Sequence, residues 1–398
     1  MSSIVVVGTG LAGLRTAETL RARGFDGRVR LIGEETSLPY ERPALSKELL
    51  AGKRSPKQVQ LRSPEFFRNE QIELVLGRRV EKVSATRRTV SLSDGCELRW
   101  DVLVLATGAR ARQLRGLDTP AGVLHLRTLA DALALSDELA RGKRLAVIGA
   151  GFIGVEVAST ATALGLDVTI IEPLGAPLER VLGTEIGTLL AARYRAQGID
   201  LRLGTGLADF VAGTDGRVRA LRLSDGGEVA CDVALVGIGA EPAGELLGGG
   251  EVATDASGRT GIPNIYACGD VASSWRPSLG RRLRIEHWTS AAGQAVAVAR
   301  TILGEESVHD DVPFFWSDQF GLRLQYVGFA SEWATVEIDG DSDAFLARYL
   351  DQDGRLLAAL AANRPAEVAA LRRQLSSLAR DAERQPSASE LRPVLSPS

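Results

Sequence analysis

Residues 4–34 read IVVVGTGLAGLRTAETLRARGFDGRVRLIGE. Ile4–Val7 is an unbroken apolar run, as a strand covered on both faces of a parallel sheet must be. It runs straight into Gly8, Gly10 and Gly13, spaced G-x-G-x-x-G, and then Leu14, Ala17 and Leu20 recur at helical spacing up to Gly24. A second apolar run, Val29–Ile32, leads to Gly33 and Glu34. Each part has a physical task in holding a dinucleotide. Gly8 permits the tight turn out of the strand, Gly10 lets the backbone approach a pyrophosphate, and Gly13 lets the helix lie close to the sheet. The helix N-terminus offers unpaired N–H groups and a partial positive charge to phosphates, and the acid after the second strand can accept ribose hydroxyls.

The unit recurs. Residues 144–172 read RLAVIGAGFIGVEVASTATALGLDVTIIE, with Gly149, Gly151 and Gly154 in the loop and Glu172 at the end of the second strand. Phe152, Ile153 and Glu156 open the following helix. Both copies are followed by an Asp-Gly hairpin signal and an apolar strand ending in glycine: SLSDGCELRWDVLVLATGAR at 91–110 and RLSDGGEVACDVALVGIGAEP at 222–242. A duplicated unit predicts two dinucleotides side by side, one the electron donor and one a bound redox cofactor. No Arg closely follows Glu172, and a carboxylate there repels a 2′-phosphate, so the second unit is expected to take NADH in preference to NADPH. Arg180, further on, is the residue that could swing toward a phosphate instead.

Composition narrows the remaining classes. At roughly 150 residues per domain, 398 residues suggest two to three domains. An apolar content of 45% with 24% charged residues excludes a disordered or collagen-like chain. With 47 basic and 50 acidic side chains the net charge is −3, so no global field favours nucleic acid or an anionic membrane, and neither partner is expected. No apolar run is long enough to span a bilayer; the best candidate, Leu145–Ile171, is broken by Glu156 and Asp167. No basic segment or cleavage signal follows Met1, so a secretory leader is not expected. Cys96, Cys231 and Cys268 are far apart and form no C-x-x-C pair, so neither a metal site nor a disulfide framework is expected. Reduced cysteines in a cytoplasmic protein are the expectation.

A third element, GRTGIPNIYACGDVA at 258–272, carries an apolar strand into Gly269 and Asp270. Alone, Asp270 is equally a helix cap or turn residue. After two dinucleotide units, the pattern resembles the second FAD motif of the glutathione-reductase-like flavoproteins, which have two dinucleotide domains. The segments LPYERPALSKELLAGK (38–53), RIEHWTSAAGQA (284–295) and PFFWSDQFGLRLQYVG (313–328) resemble more narrowly the FAD-dependent ferredoxin reductases of bacterial oxygenase systems. The resemblance covers nearly the whole chain. One departure is residues 241–262, which are shorter than the joining segment usual in that family and leave the local loop open.

The resemblance implies an α/β fold with two Rossmann-like dinucleotide-binding domains and a C-terminal α+β interface domain. FAD would lie on residues 1–112 and 243–308, NADH on 113–242, and residues 309–398 would form the interface domain. FAD contacts would come from Gly8, Gly10, Leu11, Ala12, Gly13, Glu34, Lys47, Val80, Ala106, Thr107, Gly108, Arg127, Gly269, Asp270 and Trp288. NADH contacts would come from Gly149, Gly151, Phe152, Ile153, Gly154, Glu156, Glu172, Gly237, Ile238 and Gly239. The disulfide reductases of the wider family hold a redox Cys pair after the first unit, but Pro39–Leu50 has no Cys, so a thiol–disulfide output is chemically impossible. The resemblance places Lys47 there beside the flavin ring, paired with Glu156. An ammonium would stabilise the negative charge that builds on the ring. The alternative for Lys47 is a solvated surface lysine. Glu156 lies between Val155 and Val157 and needs a partner if buried.

Beyond residue 309 the glycine loops stop. Phe345–Leu350 and Leu356–Ala361 read as small-sheet strands, and Val368, Leu371, Leu375 and Leu378 recur at helical spacing within 365–382. The Pro/Ser-rich tail at 385–398 is expected to be at least partly mobile. The implied partner is an acidic iron–sulfur ferredoxin, of [2Fe–2S] type, that feeds a terminal oxygenase. Its docking site should be locally basic. Arg281, Arg282 and Arg284, Arg372 and Arg373, and the aromatic Trp316 are the candidates. A solvated charged face for the arginines, and plain core packing for Trp288 and Trp316, are the competing readings. The implied activity is NADH:ferredoxin oxidoreduction through FAD. An NADH oxidase and a non-enzymatic redox sensor are the alternatives.

Overall fold

A computed structural model describes residues 3–383, with the backbone alone for 378–383. The proposed mobile tail at 385–398 and the side chain of Leu378 lie outside the described residues. The first glycine unit folds as β1 (Ser3–Val7), α1 (Leu11–Ala22) and β2 (Arg28–Gly33), followed by β3 (Ile72–Leu76) and β4 (Val102–Leu105). The second folds as β5 (Val123–Leu124), α2 (Leu129–Arg141), β6 (Arg144–Ile148), α3 (Phe152–Ala163), β7 (Asp167–Glu172), α4 (Glu179–Ala196), β8 (Asp200–Leu203) and β9 (Val233–Val236). The chain then returns to the first sheet with β10 (Ile265–Ala267) and α5 (Trp288–Ile302).

Both sheets are wholly parallel, in the orders β10-β4-β1-β2-β3 and β8-β7-β6-β9-β5. Parallel strands covered on both faces need continuous apolar runs, and Ile4–Val6 and Leu145–Val147 are all but sealed from solvent. The two units match bond for bond. Val7 pairs with Ile32 and Leu105, and Ile148 with Ile171 and Val236. Gly8 N–H donates to the Ile32 carbonyl (2.7 Å) and Gly149 N–H to that of Ile171 (2.8 Å). The hairpins at Asp94-Gly95 and Asp225-Gly226 form as expected, joining Thr89–Leu92 to Glu97–Arg99 and Val218–Leu223 to Glu228–Ala230.

The short segment after the second unit is ordered by backbone pairing. Ala240–Pro242 pairs antiparallel with Ala109–Ala111, and Val252–Thr254 pairs with Ala272–Arg276. Beyond α5 lies an antiparallel sheet built from β11 (Phe314–Gln319), β12 (Leu322–Gly328), β13 (Thr335–Gly340), β14 (Phe345–Leu350) and β15 (Leu356–Ala362), in the order β11-β12-β15-β14-β13. It is covered by α6 (Pro365–Glu383), whose Val368, Leu371 and Leu375 pack on Val327, Leu346, Ala359 and Ala361. The α/β class and the small C-terminal sheet with its helix are those expected from the sequence.

Close backbone approach fixes where the glycine loops can go. A Cβ on Gly13 would lie 1.9 Å from the Gly8 carbonyl oxygen, and one on Gly154 would lie 2.3 Å from that of Gly149. At Gly10 a Cβ would meet nothing within 4 Å. Gly13→Ala should therefore lower unfolding stability by about 1–3 kcal/mol through forced overpacking. Gly10→Ala should stay within about 0.5 kcal/mol of the parent. Urea unfolding of the two variants checks this; equal midpoints would contradict the packing argument.

Candidate active site

A cleft of about 1480 Å³ runs along the carboxyl ends of the first sheet toward α3 and β11. That exceeds the roughly 300–1,000 Å³ that suits a drug-sized ligand and matches an extended one. Each wall begins where a strand ends: Gly8–Ala12 after β1, Glu34 after β2, Ala106–Gly108 after β4, and Gly269 and Asp270 after β10. Lys47, Val80, Arg127 and Trp288 complete the expected first-unit set on the lining. Gly13 is the exception, because it lies on the buried face of α1, where it keeps helix and loop in contact.

Three features fit FAD there. No side chain caps the N-terminus of α1, so its first N–H groups face the cleft beside the open Gly10. Asp270 presents a carboxylate on the lining, where a polyol chain would find an acceptor. His287 Nδ1 is buried on the lining with no partner among the described residues. In the protein alone, Arg127 donates to the Asp270 carboxylate (2.7 Å) and to the Ala109 carbonyl (2.9 Å), which the sequence did not foretell.

The second unit meets the cleft chiefly through α3, with Arg180 and Val181 of α4 and Thr128 and Asp131 at the start of α2 also on the lining. Phe152 and Ile153 line it, and Ile153 is 44% exposed. Glu156 follows one turn in and is 4% exposed. Its Oε2 accepts from Ser46 Oγ (2.6 Å) and Lys47 Nζ (3.1 Å), and its Oε1 from Ser317 Oγ (2.7 Å). The expected Lys47–Glu156 pair is thus present, and it includes two hydroxyls that sequence reading missed. Ser46 and Lys47 sit on a π-type turn, Leu45–Leu49, packed against α3.

Gly149, Gly151, Gly154, Glu172, Gly237, Ile238 and Gly239 gather at the carboxyl ends of β6, β7 and β9, outside the lining of this cleft. Glu172 is not free. Its carboxylate accepts from the backbone N–H groups of Ala150 (2.8 Å) and Leu174 (3.0 Å) and so braces the glycine loop. A carboxylate has about four acceptor sites, so two remain for a ligand hydroxyl.

Among the docking candidates, Trp316 and Arg284 line the cleft. Arg284 is offset by Glu286 and by Glu251 (3.6 Å). Arg281 stacks on Phe329 and Arg282 on Trp275. Arg372 lies over Phe314, which in turn stacks on Trp316. Arg373 is exposed on α6. Arg281, Arg282, Arg372 and Arg373 are not on the cleft lining.

Cys231 and Cys268 are buried and their thiols are pushed up to about 12 by desolvation; Cys96 is exposed. A neutral thiol is a poor nucleophile, so neither buried cysteine substitutes for a redox pair. Among the described residues no cluster suits a metal ion, and no helix is long and apolar enough to cross a membrane.

Residues 2–295 match the family model described as pyridine nucleotide-disulphide oxidoreductase, and residues 314–392 match the reductase C-terminal model. The chain is 39% identical over 368 residues to a ferredoxin–NAD(P)(+) reductase of Sphingomonas sp, covering 89% of this chain and 88% of the relative. It is 37% identical over 382 residues to the ferredoxin–NAD(+) reductase component of an anthranilate 1,2-dioxygenase system from Burkholderia cepacia, covering 94% of each. Its fold superposes with a TM-score of 0.90 and 34% identity on the reductase in a covalent putidaredoxin reductase–putidaredoxin complex, covering 95% of this chain and 93% of that one.

Burial holds His287 neutral, down to about 4 from an ordinary 6.5, and His309 likewise to about 4. The unfolded chain takes up these protons below pH 6.5, and the native one only near 4. The stability they contribute is full above 6.5 and lost as pH falls from 6.5 to 4, up to about 3 kcal/mol for His287. His287→Asn should flatten the decline of the urea midpoint across that window. An unchanged slope would remove His287 from the account.

Proposed function

The chain belongs to the pyridine nucleotide-disulphide oxidoreductase family, and we propose that within it the protein is an FAD-dependent NADH:ferredoxin oxidoreductase. The reading is supported by relatives named as ferredoxin reductases over nearly their whole length. The ferredoxin, of [2Fe–2S] type, serves a terminal oxygenase, either an aromatic-ring dioxygenase or a cytochrome P450. Bound FAD would supply the hydride-accepting and single-electron-donating chemistry by which one NADH would reduce two ferredoxins, with NAD(+) and a proton as the other products.

The observation that carries the reading is the Lys47 ammonium, hydrogen-bonded to the buried Glu156 carboxylate in the segment where a disulfide reductase would hold cysteines. Lys47 stabilises negative charge on the cleft side, in surroundings where a fixed charge is screened little. Gly10 and the α1 N-terminus would hold the pyrophosphate and Asp270 the polyol chain, with Arg127 beside them paired to Asp270. Phe152 and Ile153 form the apolar floor against which the nicotinamide ring is held. Glu172 accepts ribose hydroxyls and repels a 2′-phosphate, which makes NADH the preferred donor. Cytoplasmic residence is part of the proposal, on the strength of three free cysteines.

The test is anaerobic. The purified protein should show a flavin spectrum that NADH bleaches at least tenfold faster than NADPH at equal concentration, and that recolours on mixing with an oxidised [2Fe–2S] ferredoxin. Bleaching that reverses only on admitting air, with every ferredoxin tried, would replace the ferredoxin reading with an oxidase.

The ferredoxin is proposed to dock over Trp316 and the Arg372–Phe314 stack. Arg372→Glu with Arg373→Glu should slow ferredoxin reduction about tenfold or more at low salt and flatten its salt dependence, while NADH bleaching of the flavin is unchanged. Unchanged ferredoxin kinetics would move the docking face elsewhere.

A further inference from the structure

We propose that Ser317, oriented from behind by Gln319 and Tyr194, is a positioning residue that holds the Glu156 carboxylate so that the Lys47 ammonium stays directed at the cleft. This rests on the reading of the cleft as a flavin site. The argument is one of proton direction. Tyr194 on α4 is sealed from solvent, and desolvation pushes its phenol well above the ordinary value, so it keeps its proton and donates it to Gln319 Oε1. That fixes the Gln319 amide, whose Nε2 donates to Ser317 Oγ (3.1 Å). A hydroxyl has one proton to give, and with Gln319 occupying an acceptor lobe it goes to Glu156 Oε1 (2.7 Å). Three donors in series all point toward one carboxylate, and each polarises the next.

The chain also divides the carboxylate. Oε1 is taken by Ser317, while Oε2 is shared by Ser46 and Lys47. Ser317 and Gln319 are 1–2% exposed, so no water replaces them. Without the Ser317 hydroxyl, Oε1 would be left buried and unpaired; Ser46 already gives its one proton to Oε2, so the remaining donor with N–H groups to spare is the Lys47 ammonium. The ammonium would be drawn onto the carboxylate and away from the cleft. The two neighbouring residues of β11 thus have separate roles: Trp316 on the cleft, Ser317 on Glu156.

Ser317→Ala holoenzyme should show a flavin two-electron midpoint potential about 30 mV more negative, the equivalent of tenfold in the reduction equilibrium and the scale of one hydrogen bond to a charged group. The limiting rate of flavin reduction should fall several-fold with the NADH dissociation constant unchanged. Ser317→Thr, which restores a hydroxyl, should recover both. Tyr194→Phe, which deletes only the far end of the chain, should move the potential in the same sense by less, and it decides the matter if Ser317→Ala does not fold. A potential that is unchanged or more positive in these variants, beside a parent that NADH bleaches normally, overturns the role of Ser317 alone. A parent that NADH does not bleach overturns the flavin-reductase reading and this inference with it.

Discussion

Glu156 sits one turn into α3, just after the second glycine loop, and its carboxylate is withdrawn from water. A buried carboxylate without partners costs several kcal/mol, far more than one surface contact returns. The structure meets that cost with donors from two other parts of the chain. Ser46 and Lys47 come from the segment after the first unit, Ser317 comes from the C-terminal sheet, and the helix carrying Glu156 belongs to the second unit. Their arrival at one carboxylate sets how these parts meet. On the same face of α3, Ser159 accepts from the Phe320 N–H (2.7 Å) and Thr160 donates to the Ser46 carbonyl (2.7 Å). Residues three and four apart on a helix share a face, so a single stripe of α3 joins all three.

The two glycine units are near copies in register and bonding, yet they present different surfaces. In the first, the loop, the acid and the strand ends all open onto one cleft. In the second, Glu172 is turned inward to brace its own loop, and its glycine loop stays off that cleft, which the unit meets through the starts of α3 and α4 and the segment leading into α2. The difference suits a resident group held deeply by the first unit and an exchanging one held at the rim by the second.

Much of this was legible in the chain, because the decisive signals are local. Glycines that forbid a Cβ, apolar runs that need cover on both faces, and Asp-Gly turns all act within a few residues. Lys47 and Glu156 could be paired only through family resemblance, since 109 residues separate them. Ser317, Gln319 and Tyr194 carried no signal, for a serine or tyrosine reads alike whether solvated or sealed. Their roles depend on the register of β11 against α3 and α4, which no local pattern encodes. The Arg127–Asp270 pair and the inward turn of Glu172 escaped for the same reason: both residues were located, but their partners were set by tertiary placement.

The C-terminal sheet is fastened to the second unit at a further point. Within α4, Gly183 takes a positive φ (82°) and breaks the helix, and a Cβ there would lie 2.6 Å from the Trp333 ring. The break frees the Leu182 carbonyl, and Tyr349 donates to it from β14 (2.9 Å). Two turns or more further along, Arg193 donates to the Phe320 carbonyl (2.9 Å) and Tyr194 to Gln319. The Leu182 carbonyl freed at the kink is therefore satisfied, and the fit of Trp333 requires a residue without a side chain. α4 and the C-terminal sheet consequently share a face sealed by apolar packing and buried hydrogen bonds. The strand bearing Trp316 is thereby tied both to the helix behind the second glycine loop and to the carboxylate that holds Lys47.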